Sequence, residues 1–216
     1  MDTEKLPVYI KKILSYRRKS RVNFMLSKIV KKQNMKVIDI GCGDSSRSFA
    51  VYVPTDWEIT GVDILSVERV QYQHPNFTYL QQDAQDLRQF NDHYFDLAVS
   101  IGMMEHITEE LKFKRIVSEI RRVAKQYIVV VPYRYCWIEP HYGIPFFPIF
   151  PNSIKLGLVK MFNLSNQRNL VKKDPEYINK NYRWLSNTEY HLEFPDSKIF
   201  LLPTLETIAI IKSCKL

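Results

Sequence analysis

The sequence lacks most of the features that mark secreted, metal-binding or membrane-spanning proteins. Its three cysteines, Cys42, Cys136 and Cys214, are far apart and form no CxxC or Cys/His cluster, so neither a disulfide framework nor a metal site is supported. No window approaches the roughly 18 uncharged apolar residues of a membrane span. The first residues also lack the apolar core of a signal peptide. These absences predict a cytoplasmic protein with reduced thiols and no bound metal.

What is present is the composition of an ordinary globular domain. The chain has 216 residues, of which 45% are hydrophobic and 25% charged, enough to enclose a sizeable core. We expect one domain over residues 1–216.

The positive charge is concentrated at the N-terminus. Residues 1–36 contain eleven Lys or Arg and two acids, a net charge of +9, whereas the whole chain carries +8. Apolar residues from Val8 onward recur at spacings of three and four, which predicts a helix or two short helices up to Lys32, with Asn34 as the stop. We therefore interpret residues 1–34 as a basic helical arm.

Short apolar runs alternate with helix-compatible segments along the next hundred residues. Runs rich in β-branched residues predict strands at residues 36–41, 58–63, 77–83, 94–100 and 127–131. The segments at 46–53, 66–73 and 108–124 are predicted helices. This alternation predicts βαβ units with right-handed crossovers and a mostly parallel sheet. A helix near 187–194 and an antiparallel strand pair at 198–202 and 207–211 complete the prediction.

Residues 132–185 interrupt this regular pattern. Five prolines between 132 and 151 exclude a long helix or a central strand across that stretch. The many Tyr, Trp and Phe residues argue against a disordered linker. We interpret the segment as a folded insertion that covers one end of the sheet.

The strongest chemical signal is the motif VIDIGCGDS at residues 37–45. A strand that leads into Gly41 and Gly43 allows a tight turn and a close approach of backbone to ligand. A second strand ends in Asp63, whose carboxylate can accept both ribose hydroxyls of a nucleoside. A dinucleotide site is less suited, because Ser46 replaces the third glycine and Asp39 places negative charge near the ligand. That charge suits a cation, such as a sulfonium that also carries an ammonium group.

In these motifs the chain resembles the class I S-adenosylmethionine-dependent methyltransferases, particularly those acting on small molecules, lipids and glycans. The resemblance rests on VIDIGCGDS, GVD at 61–63, QQDAQDL at 81–87 and FDLAVSIGMMEHI at 95–107. It covers about residues 35–131 and the terminal strand pair, with Ser45 standing where the family often has a third glycine. It implies a Rossmann-like three-layer α/β sandwich. The mostly parallel seven-stranded sheet would end in an antiparallel pair and carry the insertion after strand five.

The resemblance also implies S-adenosylmethionine as cofactor and a role for each matching residue. Gly41, Cys42 and Gly43 should line its methionine and ribose part, with Asp39 near the amino group. The remaining contacts are Asp63 with the ribose hydroxyls, Ile64 with adenine, Asp83 and Ala84 with the adenine amino edge, and Ser100 and Ile101 beneath the cofactor. Asp39 as a purely structural buried acid and Asp83 as a helix N-cap remain the alternatives.

Two histidines are candidate catalytic residues. The insertion should start at the carboxyl end of strand five, where open α/β sheets bind ligands, so we expect it to form the acceptor cap. Within it, His141 lies between Pro140 and Tyr142 and is a candidate general base. His106, after strand four, is either catalytic or a residue that orients its loop. Methyl transfer does not require a strong base if positioning and desolvation suffice.

The sequence leaves the methyl acceptor open among a small molecule, a glycan and a lipid-linked compound. Ser100-Ile-Gly-Met replaces the Asn/Asp-Pro-Pro-aromatic run expected of adenine-type methyltransferases, so nucleic acid is the less favoured acceptor. The segments WIEPHYG and NYRWLS resemble a subgroup associated with surface-glycan biosynthesis. An RNA methyltransferase and a non-catalytic regulatory protein that binds S-adenosylmethionine are the alternative functions.

The basic arm has three possible uses. Residues 5–36 can contact an anionic membrane peripherally, which would give a cytoplasmic, membrane-peripheral protein. By charge alone they are also compatible with RNA. In the third interpretation the arm packs its apolar face over the protein's own cofactor site.

Overall fold

A seven-stranded sheet forms the centre of the protein. The computed structural model describes residues 8–46, 48–72, 74–136, 146–162, 177, 181–202 and 207–214. The strands are β1 (Lys36–Ile40), β2 (Glu58–Asp63), β3 (Phe77–Gln81), β4 (Phe95–Ile101), β5 (Ala124–Pro132), β6 (Lys198–Leu201) and β7 (Thr207–Lys212). The α-helices are α1 (Val8–Leu26), α2 (Glu110–Val123), α3 (Asn152–Phe162) and α4 (Asn187–Glu193).

The strand order is β3-β2-β1-β4-β5-β7-β6. The first five strands pair in parallel, and β7 lies antiparallel between β5 and β6. Strands β4 and β5 are buried along almost their whole length, because a parallel sheet is covered on both faces. The predicted fold class, including the antiparallel pair, is confirmed. Chain order reverses between β1 and β4, so the carboxyl ends of these strands flank a crevice suited to a ligand.

Two of the three predicted crossover helices are wrong. Residues 46–53 contain one 3-10 turn, Ala50–Tyr52, and residues 66–73 contain another, Val67–Arg69. Ser46 has a φ of 49°, a left-handed conformation that cannot begin a right-handed helix. The second turn ends where Val70 returns to an extended conformation. Only α2 reproduces its prediction, and its buried apolar face includes Phe113, Ile116 and Ile120.

Helix α1 packs onto the protein's own core. Val22, Met25 and Leu26 are buried in a cluster shared with β1, β4, β5 and β7. The helix ends at Leu26, so the predicted continuation to Lys32 is wrong. No helix within the described ranges is long and apolar enough to cross a membrane.

The described part of the insertion forms a second, smaller apolar cluster. Helix α3 begins directly after Pro151, the last proline of the run, where a fixed φ is compatible with a helix start. Phe147 and Tyr182 are buried together, with Trp184 packed against them. The amide of Arg183 donates to the carbonyl of Glu105 at 2.7 Å, which ties this aromatic cluster to the chain after β4.

Asp96 joins the arm to the sheet. Its buried carboxylate accepts hydrogen bonds from the Lys36 amide at 3.1 Å and the Lys125 ammonium at 2.9 Å, and it lies 2.9 Å from the Lys32 ammonium. Burial alone would raise the pKa of Asp96, but these hydrogen bonds outweigh it and hold the pKa below its ordinary value.

The substitution Asp96→Ala should lower the free energy of unfolding by about 1–3 kcal/mol, because it leaves a buried amide without its acceptor. Since the folded pKa is depressed, the stabilisation should be complete above about pH 4 and should disappear as the pH falls through the folded pKa. Urea denaturation of wild type and variant at neutral and acidic pH measures both effects.

Asp92→Ala is the matched control. Asp92 is 72% exposed and pairs with Arg122, so its loss should cost no more than about 1 kcal/mol. Equal destabilisation by both substitutions, or a difference between wild type and Asp96→Ala that does not change with pH, would contradict the role of Asp96.

Candidate active site

The turn after β1 is built on two glycines in left-handed conformations, with φ of 74° at Gly41 and 65° at Gly43. A Cβ atom on Gly41 would lie 2.4 Å from the Cγ of Met103, so glycine is required for packing as well as for backbone conformation. A Cβ atom on Gly43 would meet no atom within 4 Å. Gly43 therefore presents bare backbone to open space, which suits a closely approaching ligand.

Asp63 fixes this turn to the end of β2. Its Oδ2 accepts from the Gly43 amide at 2.8 Å, and its Oδ1 accepts from the Leu65 amide at 3.2 Å. The Gly41 amide donates to the Val62 carbonyl at 2.8 Å. Each carboxylate oxygen keeps a lone pair for a further donor. The two strand ends are thus joined by backbone amides that also orient the acid.

Asp39 lies behind the glycine turn and is only 3% exposed. Its Oδ2 accepts a hydrogen bond from the Ser46 hydroxyl, which in turn accepts from the Ala50 amide at 3.2 Å. Burial raises the pKa of Asp39 to about 6; the Ser46 hydrogen bond opposes this rise and the negative charge of Asp63 adds to it. The alternative of a structural acid has support in this bonding. A buried carboxylate to which the described residues offer no cation also favours a positively charged ligand.

A cleft of about 220 Å³ opens at the carboxyl ends of β1, β2 and β3. Six of the predicted site residues line it: Gly41, Asp63, Ile64, Asp83, Ala84 and His106. Ile64 is 68% exposed, so its apolar side chain is available at the cleft for contact with a ligand.

The other predicted residues lie beside or beneath the cleft. Ser100 is fully buried, and its hydroxyl has no hydrogen-bond partner among the described residues; Ile101 packs against the core. The thiol of Cys42 donates to the Gly43 carbonyl at 3.4 Å. Burial and the charges of Asp39 and Asp63 raise the pKa of this thiol, so it stays protonated and is a poor nucleophile.

Asp83 caps a turn, and the alternative that it caps a helix is wrong. Its Oδ1 accepts from the Gln85 amide at 3.0 Å, its Oδ2 accepts from the Gln85 side chain at 3.0 Å, and Lys112 lies 3.7 Å away. Burial acts to raise the pKa of Asp83, but the Gln85 hydrogen bonds and the Lys112 charge bring it below its ordinary value. The carboxylate is therefore ionised at neutral pH.

Of the two candidate catalytic histidines, the structure describes only His106. His106 is exposed at the cleft, and its ring lies 5.0 Å from that of Tyr182. His141 falls in residues 137–145, outside the described residues.

Sequence reasoning missed several residues of this site, among them Met103, Lys112 and Ser46. Met103 and Lys112 line the cleft, and Ser46 supplies the hydroxyl to Asp39. The SIGM motif includes Met103 but does not show that it packs on Gly41. Nothing in the sequence indicates that Lys112, on α2, comes near Asp83, because that depends on how the helix packs.

This donor set fits S-adenosylmethionine. Asp63 has lone pairs for ribose hydroxyls, Asp39 offers negative charge to a cation, and Ile64 offers an apolar surface to a base. No group of three or more His, Cys, Asp or Glu side chains suited to a metal ion occurs within the described ranges.

The comparisons with known proteins agree with this chemistry. The family model described as a methyltransferase domain matches residues 38–129, which begin in β1 and end in β5. A search of curated proteins found no match.

Solved structures share the fold. One is a chain of the complex between the Haloferax volcanii Trm112 methyltransferase activator and a methyltransferase, with a TM-score of 0.59 at 14% identity, covering 94% of this chain and 93% of that one. Another is an S-adenosylmethionine-dependent methyltransferase from Aquifex aeolicus, with a TM-score of 0.55 at 16% identity, covering 95% and 97%.

A third is the magnesium protoporphyrin IX methyltransferase of Synechocystis with bound S-adenosylhomocysteine, with a TM-score of 0.57 at 15% identity, covering 97% of this chain and 89% of that one. At such identities the likeness concerns the fold, and the family model covers residues 38–129, which is less than half of the chain. Residues 38–129 are therefore similar to a methyltransferase domain, and the fold that contains them agrees with that similarity.

Proposed function

We propose that the protein is an S-adenosylmethionine-dependent methyltransferase that methylates an oxygen or nitrogen atom of a small-molecule, glycan or lipid-linked acceptor. The observation that carries the proposal is the position of the aromatic cluster of the insertion at the edge of the cofactor cleft. The Tyr182 ring lies 5.0 Å from the ring of His106, which lines the cleft, and stacks on Trp184 at 5.6 Å. Aromatic walls suit sugar rings and apolar groups.

The chain's own residues bind and orient the methyl donor. In this proposal the carboxylate of Asp63 accepts the ribose hydroxyls, and Ile64 covers one face of adenine. Asp83 and Ala84 meet the amino edge of adenine, and Asp39 offers charge to the ammonium group. Bound S-adenosylmethionine supplies an electrophilic methyl group on a sulfonium.

The transfer itself is a displacement in line with the sulfonium–methyl bond. A lone pair of the acceptor atom forms the new bond to carbon while the old bond breaks, and its electron pair stays on sulfur. The acceptor's proton passes to water or to a base, for which His106 is placed at the cleft and His141 is the candidate within the insertion. Holding the acceptor in line and excluding water supply much of the rate.

Turnover with labelled methyl donor distinguishes the acceptor classes. Purified protein is incubated with a small-molecule extract, a lipid-linked glycan fraction or RNA, and transfer of label is measured. Label in RNA alone would contradict the proposal. Binding of S-adenosylhomocysteine with no transfer to any fraction would favour the non-catalytic alternative.

Asp63→Ala should weaken S-adenosylhomocysteine binding at least about tenfold, because charge-assisted hydrogen bonds to the ribose contribute roughly 1.5–3 kcal/mol each. The loss should be larger than for an isolated contact, since the Gly43 amide loses its acceptor too. Calorimetry measures the affinity, and Asp92→Ala, on the surface, is the control. Wild-type affinity in a folded Asp63→Ala variant, or a preference of the wild type for NAD, would disprove the assignment.

The affinity for S-adenosylhomocysteine should fall as the pH drops through about 6, where Asp39 takes up a proton and loses the charge that faces the ammonium group. Asp39→Asn should bind weakly with no such pH dependence. His106 lines the same cleft, so His106→Gln is the control and should keep the dependence. A pH profile that survives in Asp39→Asn would contradict this role.

A lipid-linked acceptor would bring the protein to a membrane, and the arm offers a contact. Lys12 and Lys19 are exposed on α1, beside Tyr16, which is 75% exposed. The protein should therefore cosediment with anionic vesicles and not with neutral ones, less so as salt rises.

The double substitution Lys12→Gln/Lys19→Gln should reduce cosedimentation, whereas Lys198→Gln on β6 should not. Retention of both variants on anionic vesicles, or no binding by the wild type, would refute the membrane contact while leaving the methyl transfer untouched.

A further inference from the structure

The insertion contains a buried lysine to which the described residues offer no acidic partner. Lys155, on α3, is only 6% exposed. Its Nζ lies 4.9 Å from the ring centroid of Trp184 and 5.9 Å from that of Phe147. In the described part of the chain no carboxylate makes an ion pair with it. Aromatic faces compensate an ammonium only partly, and lysine is rarely buried unless it is paired.

A second cation stands close to this lysine. Burial, and then the positive charge of Arg134, lower the pKa of Lys155. Arg134 lies 3.6 Å from the carboxylate of Glu189. Glu189 already accepts hydrogen bonds from both the amide and the hydroxyl of Ser186. The charge of Arg134 thus acts on Lys155, and no described carboxylate makes an ion pair with Lys155 to offset it.

Trp184 provides a further unsatisfied donor. Its indole Nε1 is buried and has no hydrogen-bond partner among the described residues, a loss that folded proteins rarely tolerate without a reason. Trp184 stacks on Tyr182, and Tyr182 contacts His106 at the cleft. Arg134 lies two residues after the end of β5. The three donors therefore lie beside the carboxyl ends of β4 and β5, next to the cofactor cleft.

We propose that Lys155, Arg134 and the indole N–H of Trp184 bind an anionic group, phosphate or carboxylate, of the methyl acceptor. An ammonium and a guanidinium together supply charge-assisted hydrogen bonds to such oxygens, while the rings of Phe147 and Trp184 enclose the part of the acceptor next to the anion. Identifying the ligand as the acceptor rests on the proposed function; the anion site itself does not.

The test is a nuclear magnetic resonance titration of the Trp184 indole signal, assigned with Trp184→Phe. Inorganic phosphate and acetate are added in turn at constant ionic strength, with sodium chloride as the reference and S-adenosylhomocysteine at saturation. The wild-type signal should shift saturably with phosphate, acetate or both, and not with chloride. The response to the two anions tells a phosphate site from a carboxylate site.

Lys155→Gln should weaken anion binding at least about tenfold, and Lys155→Arg, which keeps the charge, should stay within about threefold of wild type. Lys198→Gln, on the surface of β6, is the matched control and should bind as wild type does. If Lys155→Gln fails to fold, Arg134→Gln takes its place with the same expectation.

Two results would overturn the proposal: no saturable shift in the wild type, or undiminished anion binding in folded Lys155→Gln and Arg134→Gln. Affinity for S-adenosylhomocysteine is measured on the same samples. If the cofactor binds and the anion does not, the anion-site proposal is refuted and the proposed function is not. If the anion binds and the cofactor does not, the anion site is supported and the proposed function is contradicted.

Discussion

The hydrogen bond from the Gly43 amide to the Asp63 carboxylate is the constraint on which the rest of the site depends. It joins the ends of β1 and β2, two neighbouring parallel strands, at 2.8 Å. A side chain on Gly41 would collide with Met103, and the left-handed φ of both glycines disfavours any other residue. The glycine turn after β1 therefore stays narrow. The Asp63 carboxylate that fixes this turn also lines the cleft.

The carboxylate of Asp39 is buried behind the glycine turn, in a position that disfavours its charged form. A carboxylate with 3% exposure and one serine hydroxyl as its hydrogen-bond partner is poorly solvated, and its pKa rises to about 6. Folding gains nothing from ionising such a group, because the charged form is the one that burial penalises. A cationic ligand reverses the balance, since it offers a counter-charge that the described residues do not place beside Asp39. An acid kept in this state is explained by ligand binding better than by stability.

The sequence predicts the sheet and the glycine turn well because both follow from local patterns. Buried parallel strands read as short continuous apolar runs, and β1, β2 and β4 fall within one residue of their predicted bounds. The helices at 46–53 and 66–73 are wrong because their composition permits a helix that the left-handed Ser46 and the extended Val70 prevent. Lys112, Met103 and Lys155 acquire their roles only through packing between distant segments, which no local pattern contains. The roles assigned to the site residues remain predictions.

The acids beside the glycine turn and the cations of the proposed anion site have opposite signs, and this bears on the proposed reaction. Asp39 and Asp63 stand on the side of β1 and β2, whereas Arg134 and Lys155 stand on the side of β5 and α3. In the proposed reaction a cationic methyl donor and an anionic acceptor would each find a counter-charge on its own side. Methyl transfer turns the sulfonium into a neutral thioether, so the acidic side loses part of its attraction for the nucleoside product. The acceptor keeps its anion. The reaction removes the positive charge of the sulfonium. The acidic side chains should therefore bind S-adenosylmethionine more tightly than S-adenosylhomocysteine.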